Sequence, residues 1–432
     1  MKTVSVNDMA KSREERVLGQ RALLNKWQMP VLSLSMNIAG PVKTSPLLER
    51  GFDLMLSNIK SCLQKEGISI VEERETRIFT GCSWLAAVNR DALTLKRLSV
   101  ALEDKDGLGR LMDLDVIDIQ GQKVDRFAIG QPMRTCLICD KAAAVCARSR
   151  AHSYQELFKA AEEIIRTALC EAIAFLVGDC AVTALKQEVD VTPKPGLVDK
   201  EHTGIHNDMD VPLFYQSADC LRSYFESCTK EGYYFNGNEI SELMPKLRAL
   251  GLQAEKTMLQ TTKGVNTHQG AIYALGIVCG AAGLKLRQSP ALDVEKILKS
   301  AGKIAENEKS PRKLLDARTQ AALGYPTVRD HALPAYHRGL EVGLSHNDAA
   351  IEALIACMAE VDDTNVLRRG GGKVLLELKR MAKAKRQTDN PKQAALELDT
   401  YCLQKRVSPG GCADLLALTL FLNRLKIKGG HI

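Results

Sequence analysis

The segment Gly109-Arg110-Leu111-Met112-Asp113-Leu114-Asp115 carries the sharpest chemistry in the chain. If residues 111–119 form a strand, Asp113 and Asp115 project from one face, roughly 7 Å apart. Two carboxylates so placed can hold Mg²⁺, which takes oxygen ligands and substrate phosphates and organises in-line displacement at phosphorus. A glycine ahead of the pair lets a phosphate approach the backbone. Nucleotidyltransferase sites share this Gly-then-Asp-x-Asp layout, and so does a solvated strand edge with two acids.

A second cluster follows: Arg134, Cys136, Cys139, Cys146, Arg148, Arg150 and His152. Three thiols and one imidazole match a structural zinc site in ligand number and type, although the spacing is not that of a standard finger. The alternative is a set of packed thiols beside a basic loop, with Arg134, Arg148, Arg150 and His152 gripping phosphates.

Four polar islands mark the second half. Glu188 to Asp199, with Lys194 and Gly196, runs on to His206, Asp208 and Asp210. The lysine can meet phosphate and the aspartates can hold Mg²⁺; a charged surface loop is the plainer reading. Lys263-Gly264-Val265-Asn266-Thr267-His268-Gln269-Gly270 feeds an apolar run and suits an anion at a helix N-terminus, or simply caps that helix. Asp363-Thr364-Asn365 leads to Arg369-Gly370-Gly371, and Ser408 to Asp414 precedes the last apolar stretch. That fourth island reads most simply as a turn and helix start.

The elements that must position these groups differ between halves. The first half reads as mixed α and β. Residues 31–38 alternate as a half-buried strand ending at Gly40-Pro41, and 46–64 have helical spacing. Short strands are expected at 68–73, 76–80 and 111–119, and a helix at 84–102. Beyond residue 155 apolar positions follow the helical period almost throughout, so an all-α domain is expected. The domains are placed at 1–158 and 159–432. Residues 271–284 read as a buried helix too short to cross a bilayer, and 379–393 as an exposed helix end and loop.

The chain has 432 residues, 45% hydrophobic and 26% charged, enough for two soluble cores. Its net charge of +7, without a basic aromatic face, suits a phosphorylated ligand or acidic protein partner better than nucleic acid. No secretory signal or membrane span is read from it. Thirteen cysteines, an odd number scattered through helical stretches, point to a reducing cytoplasm.

Together these stretches resemble two families. Asn37-Ile-Ala-Gly40-Pro-Val-Lys43, Gly109 to Val116, and Arg134 to His152 resemble the holo-acyl-carrier-protein synthases of citrate lyase, over most of residues 10–155. The resemblance implies transfer of a phosphoribosyl-dephospho-CoA unit onto a carrier-protein serine, with pyrophosphate leaving. Asn37, Lys43, Gly109, Arg110, Arg134, Arg148 and Arg150 become ligand contacts, and Asp113 and Asp115 the catalytic, Mg²⁺-holding pair.

Residues 165–425 resemble the triphosphoribosyl-dephospho-CoA synthases. Pro193 to Asp199, the His-x-Asp-x-Asp stretch, Lys263 to Gly270 and Asp363 to Gly371 carry the likeness. It implies an all-α fold and a reaction of ATP with 3'-dephospho-CoA. The 2'-hydroxyl displaces adenine from the ribose C1 of ATP. Lys194, Lys263 and Arg369, with Mg²⁺ on Asp208 and Asp210, would hold the triphosphate. The base lies among Asp199, Asp208, Asp210 and Asp363; His206 and His268 serve as hydrogen-bond partners or proton carriers. Gly196, Gly264, Asn266, Thr267, Gly270, Arg318, Asn365, Gly370 and Gly371 complete the ligand contacts. The chain departs from that pattern at Gln320, where an acid is expected.

A bifunctional transferase acting on the citrate lyase carrier protein is therefore the reading. Its rivals are the equivalent pair for malonate decarboxylase, and a carrier-binding module that has lost catalysis.

Overall fold

The computed structural model describes residues 2–310, 314–388 and 390–429, in two compact units that divide between Leu169 and Cys170. Ser5 opens the first helix, α1 (Val6–Trp27), with a reciprocal cap. The Ser5 hydroxyl accepts the Asp8 N–H at 3.1 Å, and the Asp8 carboxylate accepts the Ser5 N–H at 2.8 Å. There follow β1 (Val31–Met36), α2 (Pro46–Lys65), β2 (Ile70–Ile78), β3 (Gly81–Val88), α3 (Ala92–Asp104), β4 (Met112–Ile117), β5 (Lys123–Val124) and α4 (Ala143–Ser149). The strands make one antiparallel sheet in the order β2-β3-β1-β4-β5.

Two expectations need correction. The strands foreseen at 68–73 and 76–80 are one strand, β2, in a hairpin with β3. The helix foreseen over 84–102 is β3 up to Val88, and a helix, α3, only from Ala92. Residues 84–88 are all buried, so the alternation that announces a half-buried strand is missing, and Ala86-Ala87 imitates helix composition.

Register decides where chemistry can sit. Ser33 lies opposite Asp115, and Ser35 opposite Asp113 and Ser83. These polar side chains therefore share one face with Val31, Leu85, Ala87 and Ile117, which pack with Leu23 and Leu24 of α1. One end of this face is a core and the other a polar floor. The other face carries Leu32, Leu34, Trp84 and Leu114, all nearly fully buried.

Among the described residues the second unit is helical, with no strand. Helix α5 (Tyr154–Asp190) begins before the division and continues into it. It is followed by α6 (Val211–Cys220), α7 (Arg222–Tyr234), α8 (Met244–Thr261), α9 (Gln269–Gln288), α10 (Val294–Ile304), α11 (Ala317–Ala322), α12 (Leu333–Glu341), α13 (His346–Glu360), α14 (Thr364–Ala384, kinked at Gly371), α15 (Pro391–Lys405) and α16 (Gly410–Lys428). Helix α9 contacts α7, α8, α10 and α16. It is longer than the apolar run suggested and, like α5, long and apolar enough to cross a membrane, but 78% of its most apolar window is buried inside the protein. Its glycines permit the closest packing: a Cβ on Gly283 would lie 2.0 Å from the Thr229 carbonyl oxygen.

Candidate active sites

In the first unit a cleft of ≈ 750 Å³ opens over the polar end of the sheet, a volume suited to a nucleotide-sized ligand. Asp113 and Asp115 of β4 form its floor, Arg13, Arg16 and Gln20 of α1 one wall, and Lys123 of β5 another. Arg13, Arg16 and Gln20 are spaced three and four apart and so share a helix face. Arg16 donates to the Ser35 hydroxyl at 2.9 Å, and Gln20 donates to that of Ser33 at 3.0 Å. Lys123 Nζ is 2.6 Å from Asp115 Oδ1. Burial, then the neighbouring Asp113 charge, pushes the Asp115 carboxyl up; burial pulls the Arg16 guanidinium down. Two mutually repelling carboxylates on one polar floor, open to the cleft, are a donor set that fits a divalent cation.

The other residues expected here divide. Asn37 and Lys43 line an adjoining recess that also reaches Arg13, Arg16 and Asp113, and Lys43 donates to the Ile38 carbonyl. Burial and then Arg13 pull the Lys43 ammonium down. Gly109 does not face the cleft. It is buried in a single 3-10 turn, where a Cβ would lie 2.3 Å from the Leu102 carbonyl oxygen, so packing against α3 explains the glycine. Arg110 donates to the carbonyls of Thr135 and Cys136. Arg134 donates to the carbonyls of Met112 at 2.6 Å and Gly109 at 3.3 Å. These two arginines tie the 134–152 segment to the start of β4. Arg148 and Arg150 are exposed near α4. Cys136, Cys139, Cys146 and His152 converge, one ligand atom from each lying within 4.8 Å of the others. The thiol-and-imidazole cluster is thus assembled, and His152 belongs to it rather than to a phosphate grip.

The second unit has its own cleft, of ≈ 950 Å³. The loop after α5, the N-termini of α9, α14 and α16, and α11 surround it. His206, Asp208, Asn266, Thr267, His268, Gly270, Arg318, Asn365 and Arg369 line it, as does Lys194. Lys194 is not a free charge: it is 2% exposed, with Nζ 2.6 Å from Glu188 Oε1. His206 Nε2 lies 3.1 Å from Ser408 Oγ. Burial and then Arg369 lower the His206 pKa. His268 Nδ1 and Thr267 Oγ1 each lie 2.7 Å from Ser217 Oγ. His268 Nε2 is buried without a hydrogen-bond partner, and burial followed by Lys194 lowers this imidazole to about 3, leaving it neutral.

Three of the four aspartates weighed as base are committed to backbone N–H groups. Asp199 accepts from Lys194, Glu201 and His202 and orders its own loop. Asp210 caps α6, accepting from Leu213 at 2.8 Å. Asp363 caps α14 through Asn365 and Val366 and accepts Cys412 N–H at 3.1 Å. Asp208 alone of the four lines the cleft. Lys263 and Gly264 form the left-handed end of α8, and Lys263 is exposed. Gly196 donates its N–H to Asp399 Oδ1 at 2.8 Å; Gly370 packs on Val374 and Val407, and Gly371 makes the kink in α14.

Two carboxylates outside the expected set stand in this cleft: Glu188, in the last turn of α5, and Asp414, in the first turns of α16. Burial, then Glu188 and Asp363, pushes the Asp414 carboxyl well above the usual carboxylate range; burial also raises that of Glu188. A Cβ on Gly270 would lie 1.9 Å from Asp414 Oδ2, so the glycine before α9's apolar stretch leaves room for this carboxylate.

Each unit thus holds a charged cleft of nucleotide size, and each matches a family of its own. Residues 4–168 match apo-citrate lyase phosphoribosyl-dephospho-CoA transferase. Residues 174–308 and 308–431 match ATP:dephospho-CoA triphosphoribosyl transferase. Protein CitXG of Haemophilus influenzae is 31% identical, over 97% of this chain and 96% of its own length. The chain belongs to the CitXG family. Protein CitXG of Leuconostoc mesenteroides is 28% identical over 96% of each chain. A probable 2-(5''-triphosphoribosyl)-3'-dephosphocoenzyme-A synthase of Photobacterium profundum is 36% identical over 58% of this chain and 87% of its own. As a CitXG member the chain is a bifunctional transferase that makes the citrate lyase prosthetic group. Its departure at Gln320 lies away from the chemistry. Gln320 is fully buried, donates to Thr327 Oγ1 at 2.6 Å and accepts the Thr327 N–H at 3.2 Å.

Proposed function

We propose that the two cleft chemistries divide the two transfers. In the second unit the 2'-hydroxyl oxygen of 3'-dephospho-CoA bonds to the ribose C1 of ATP. The C1–N bond breaks and adenine leaves with the bonding pair. The observation that carries the assignment is the position of Asp414 in the cleft, against Gly270 at the N-terminus of α9. Asp199, Asp210 and Asp363 serve the backbone outside the cleft lining, whereas Asp414 lines the cleft together with Asp208, accepts the Ala271 N–H, and has its pKa raised by burial. A carboxylate with raised pKa is the stronger base. Asp414 takes the hydroxyl proton, and Glu188, kept in its carboxylate form by the ion pair with Lys194, lies near the oxocarbenium character that develops at C1. Arg368, Arg369 and Arg318 line the same cleft and would receive the triphosphate. Neutral His268 offers its unpaired Nε2 as a hydrogen-bond partner to substrate.

In the first unit the serine oxygen of the citrate lyase acyl carrier protein attacks the α-phosphorus, and pyrophosphate departs. Asp113 and Asp115 would hold Mg²⁺, which supplies charge neutralisation at phosphorus. Arg13, Arg16 and Lys123 add fixed positive charge around the phosphates. Thirteen free thiols fit a cytoplasmic location for both steps.

The test follows adenine release and the mass of apo-carrier together, with ATP, Mg²⁺ and 3'-dephospho-CoA. Asp113→Asn should abolish the carrier mass gain and spare adenine release. Asp414→Asn should stop adenine release, while carrier loading from pre-made triphosphoribosyl-dephospho-CoA continues. If either change in a folded chain silences both steps, the division is wrong.

A further inference from the structure

Between residues 119 and 160, all of them described, the two buried residues are Cys136 and Cys146. Phe127, Met133 and Val145 are each more than half exposed. A stretch of this length with no apolar core of its own needs another source of cohesion, and small core-poor segments draw it from disulfides or metals. The thirteen cysteines are free thiols here. Yet the segment is ordered around its cysteines. Thr135 and Ala142 form an isolated bridge, Cys136 N–H donates to the Lys141 carbonyl at 2.6 Å, and the N–H groups of Ile138 and Cys139 point at the Cys136 sulfur. This turn brings Cys136 beside Cys139. Helix α4 then presents Cys146, and the left-handed Arg150 returns the chain so that His152 reaches the same point.

Two of the ligand–ligand spacings are close to tetrahedral edges. Zn–S of about 2.3 Å and Zn–N of about 2.0 Å at tetrahedral angles require edges of about 3.8 Å between sulfurs and about 3.5 Å from sulfur to nitrogen. Cys139 Sγ and Cys146 Sγ are 3.5 Å apart, His152 Nε2 and Cys139 Sγ are 3.4 Å apart, and all four ligand atoms fall within 4.8 Å of one another. Three thiolates and an imidazole with no open position make a closed, structural set rather than a catalytic one.

We propose that Cys136, Cys139, Cys146 and His152 bind one zinc ion, and that this ion positions the Asp113–Asp115 site. Hydrogen bonds connect the two sites. Arg134 precedes the first ligand by two residues and donates to the Met112 and Gly109 carbonyls. Arg110 donates back to the carbonyls of Thr135 and of the ligand Cys136. Buried Glu103 lies 3.4 Å from Arg134 and accepts Leu114 N–H at 3.1 Å, between the two aspartates. Zinc thus fixes a clasp on the backbone that aims both carboxylates, without touching substrate. The positioning role rests on carrier transfer occurring in the first unit; the zinc site itself does not.

The experiment is metal analysis of the full-length protein, with Cys139→Ser and Cys146→Ser beside it. One zinc per chain is expected, lost in both variants. Chelation should expose 130–152 to limited proteolysis and lower carrier loading at least about tenfold, both restored by added zinc. Adenine release from the same chain should persist, which controls for global unfolding. A protein that neither contains zinc nor takes it up, or a Cys139–Cys146 disulfide found by mass spectrometry in freshly purified protein, would overturn the site. Zinc that can be removed without change in proteolysis or carrier loading would overturn the positioning role. Zinc content is read without any activity, so this outcome is separable from an error in assigning the transfer step.

Discussion

Gly270→Ala offers the most direct probe of the second cleft. The added methyl would sit 1.9 Å from Asp414 Oδ2 and 2.8 Å from its Cγ, with no backbone atom among the three nearest. Real contacts stop near 3.0 Å, so the carboxylate must retreat by at least about 1 Å, a misplacement worth on the order of 100-fold in rate. Stability should respond weakly. Overpacking costs about 1–3 kcal/mol, but the obstacle is the tip of a side chain that can swing toward the open cleft. The expected result is a near-normal melting temperature, adenine release reduced about 100-fold, and unchanged loading of carrier from pre-made intermediate. Steady-state adenine release and thermal denaturation on one preparation provide the check. Wild-type adenine release from Gly270→Ala would refute Asp414 as base, because the methyl cannot be accommodated with that carboxylate in place.

Other outcomes follow from the same geometry. Because burial raises the Asp414 pKa, the carboxylate form needed as base is lost as pH falls; adenine release should rise with pH through that elevated pKa, and Asp414→Asn should remove this limb along with about 10²–10⁴-fold of the rate. The sign for stability is opposite. A group that binds its proton more tightly when folded loses stability as pH rises from the unfolded to the folded pKa, so Asp414→Asn should melt higher than wild type above that window, as thermal scans across pH would show. Gln320→Ala breaks two buried hydrogen bonds to Thr327; it should cost about 1–3 kcal/mol in urea unfolding and leave adenine release per folded molecule unchanged.

How much of this was legible beforehand depended on whether the signal lay in residue type or in burial. The Asp113/Asp115 pair, the Cys/His set and the loops around His268 and Arg369 declare themselves by composition and spacing, and the structure gathers them as grouped. Asp199, Asp210 and Asp363 looked equally chemical, yet their oxygens answer to N–H groups that only the folded loops bring near. Glu188 opens the first polar island but was given no role for the converse reason: only burial against Lys194, which the fold supplies, sets it apart from other acids. Asp414 was visible, but its motif reads more simply as a turn and helix start. Arg13 and Arg16 went unseen because α1 was not foreseen; its polar start hides a helix whose buried residues are Leu23 and Leu24 alone. Strand β3 was lost to the lack of alternation that full burial brings.

Helix α1 also works as a ruler of phase. Its first half carries the arginines over the aspartates, and its last turns carry Leu23 and Leu24 into the sheet's apolar end, on a single face. Each residue advances a helix by about 100°. Inserting one residue between Gln20 and Leu23 would leave either the guanidinium groups or the leucines turned away from the sheet. Anchorage and catalysis in the first unit are therefore locked to the same count of residues, and the length of that short stretch is constrained even where the identity of its side chains is not.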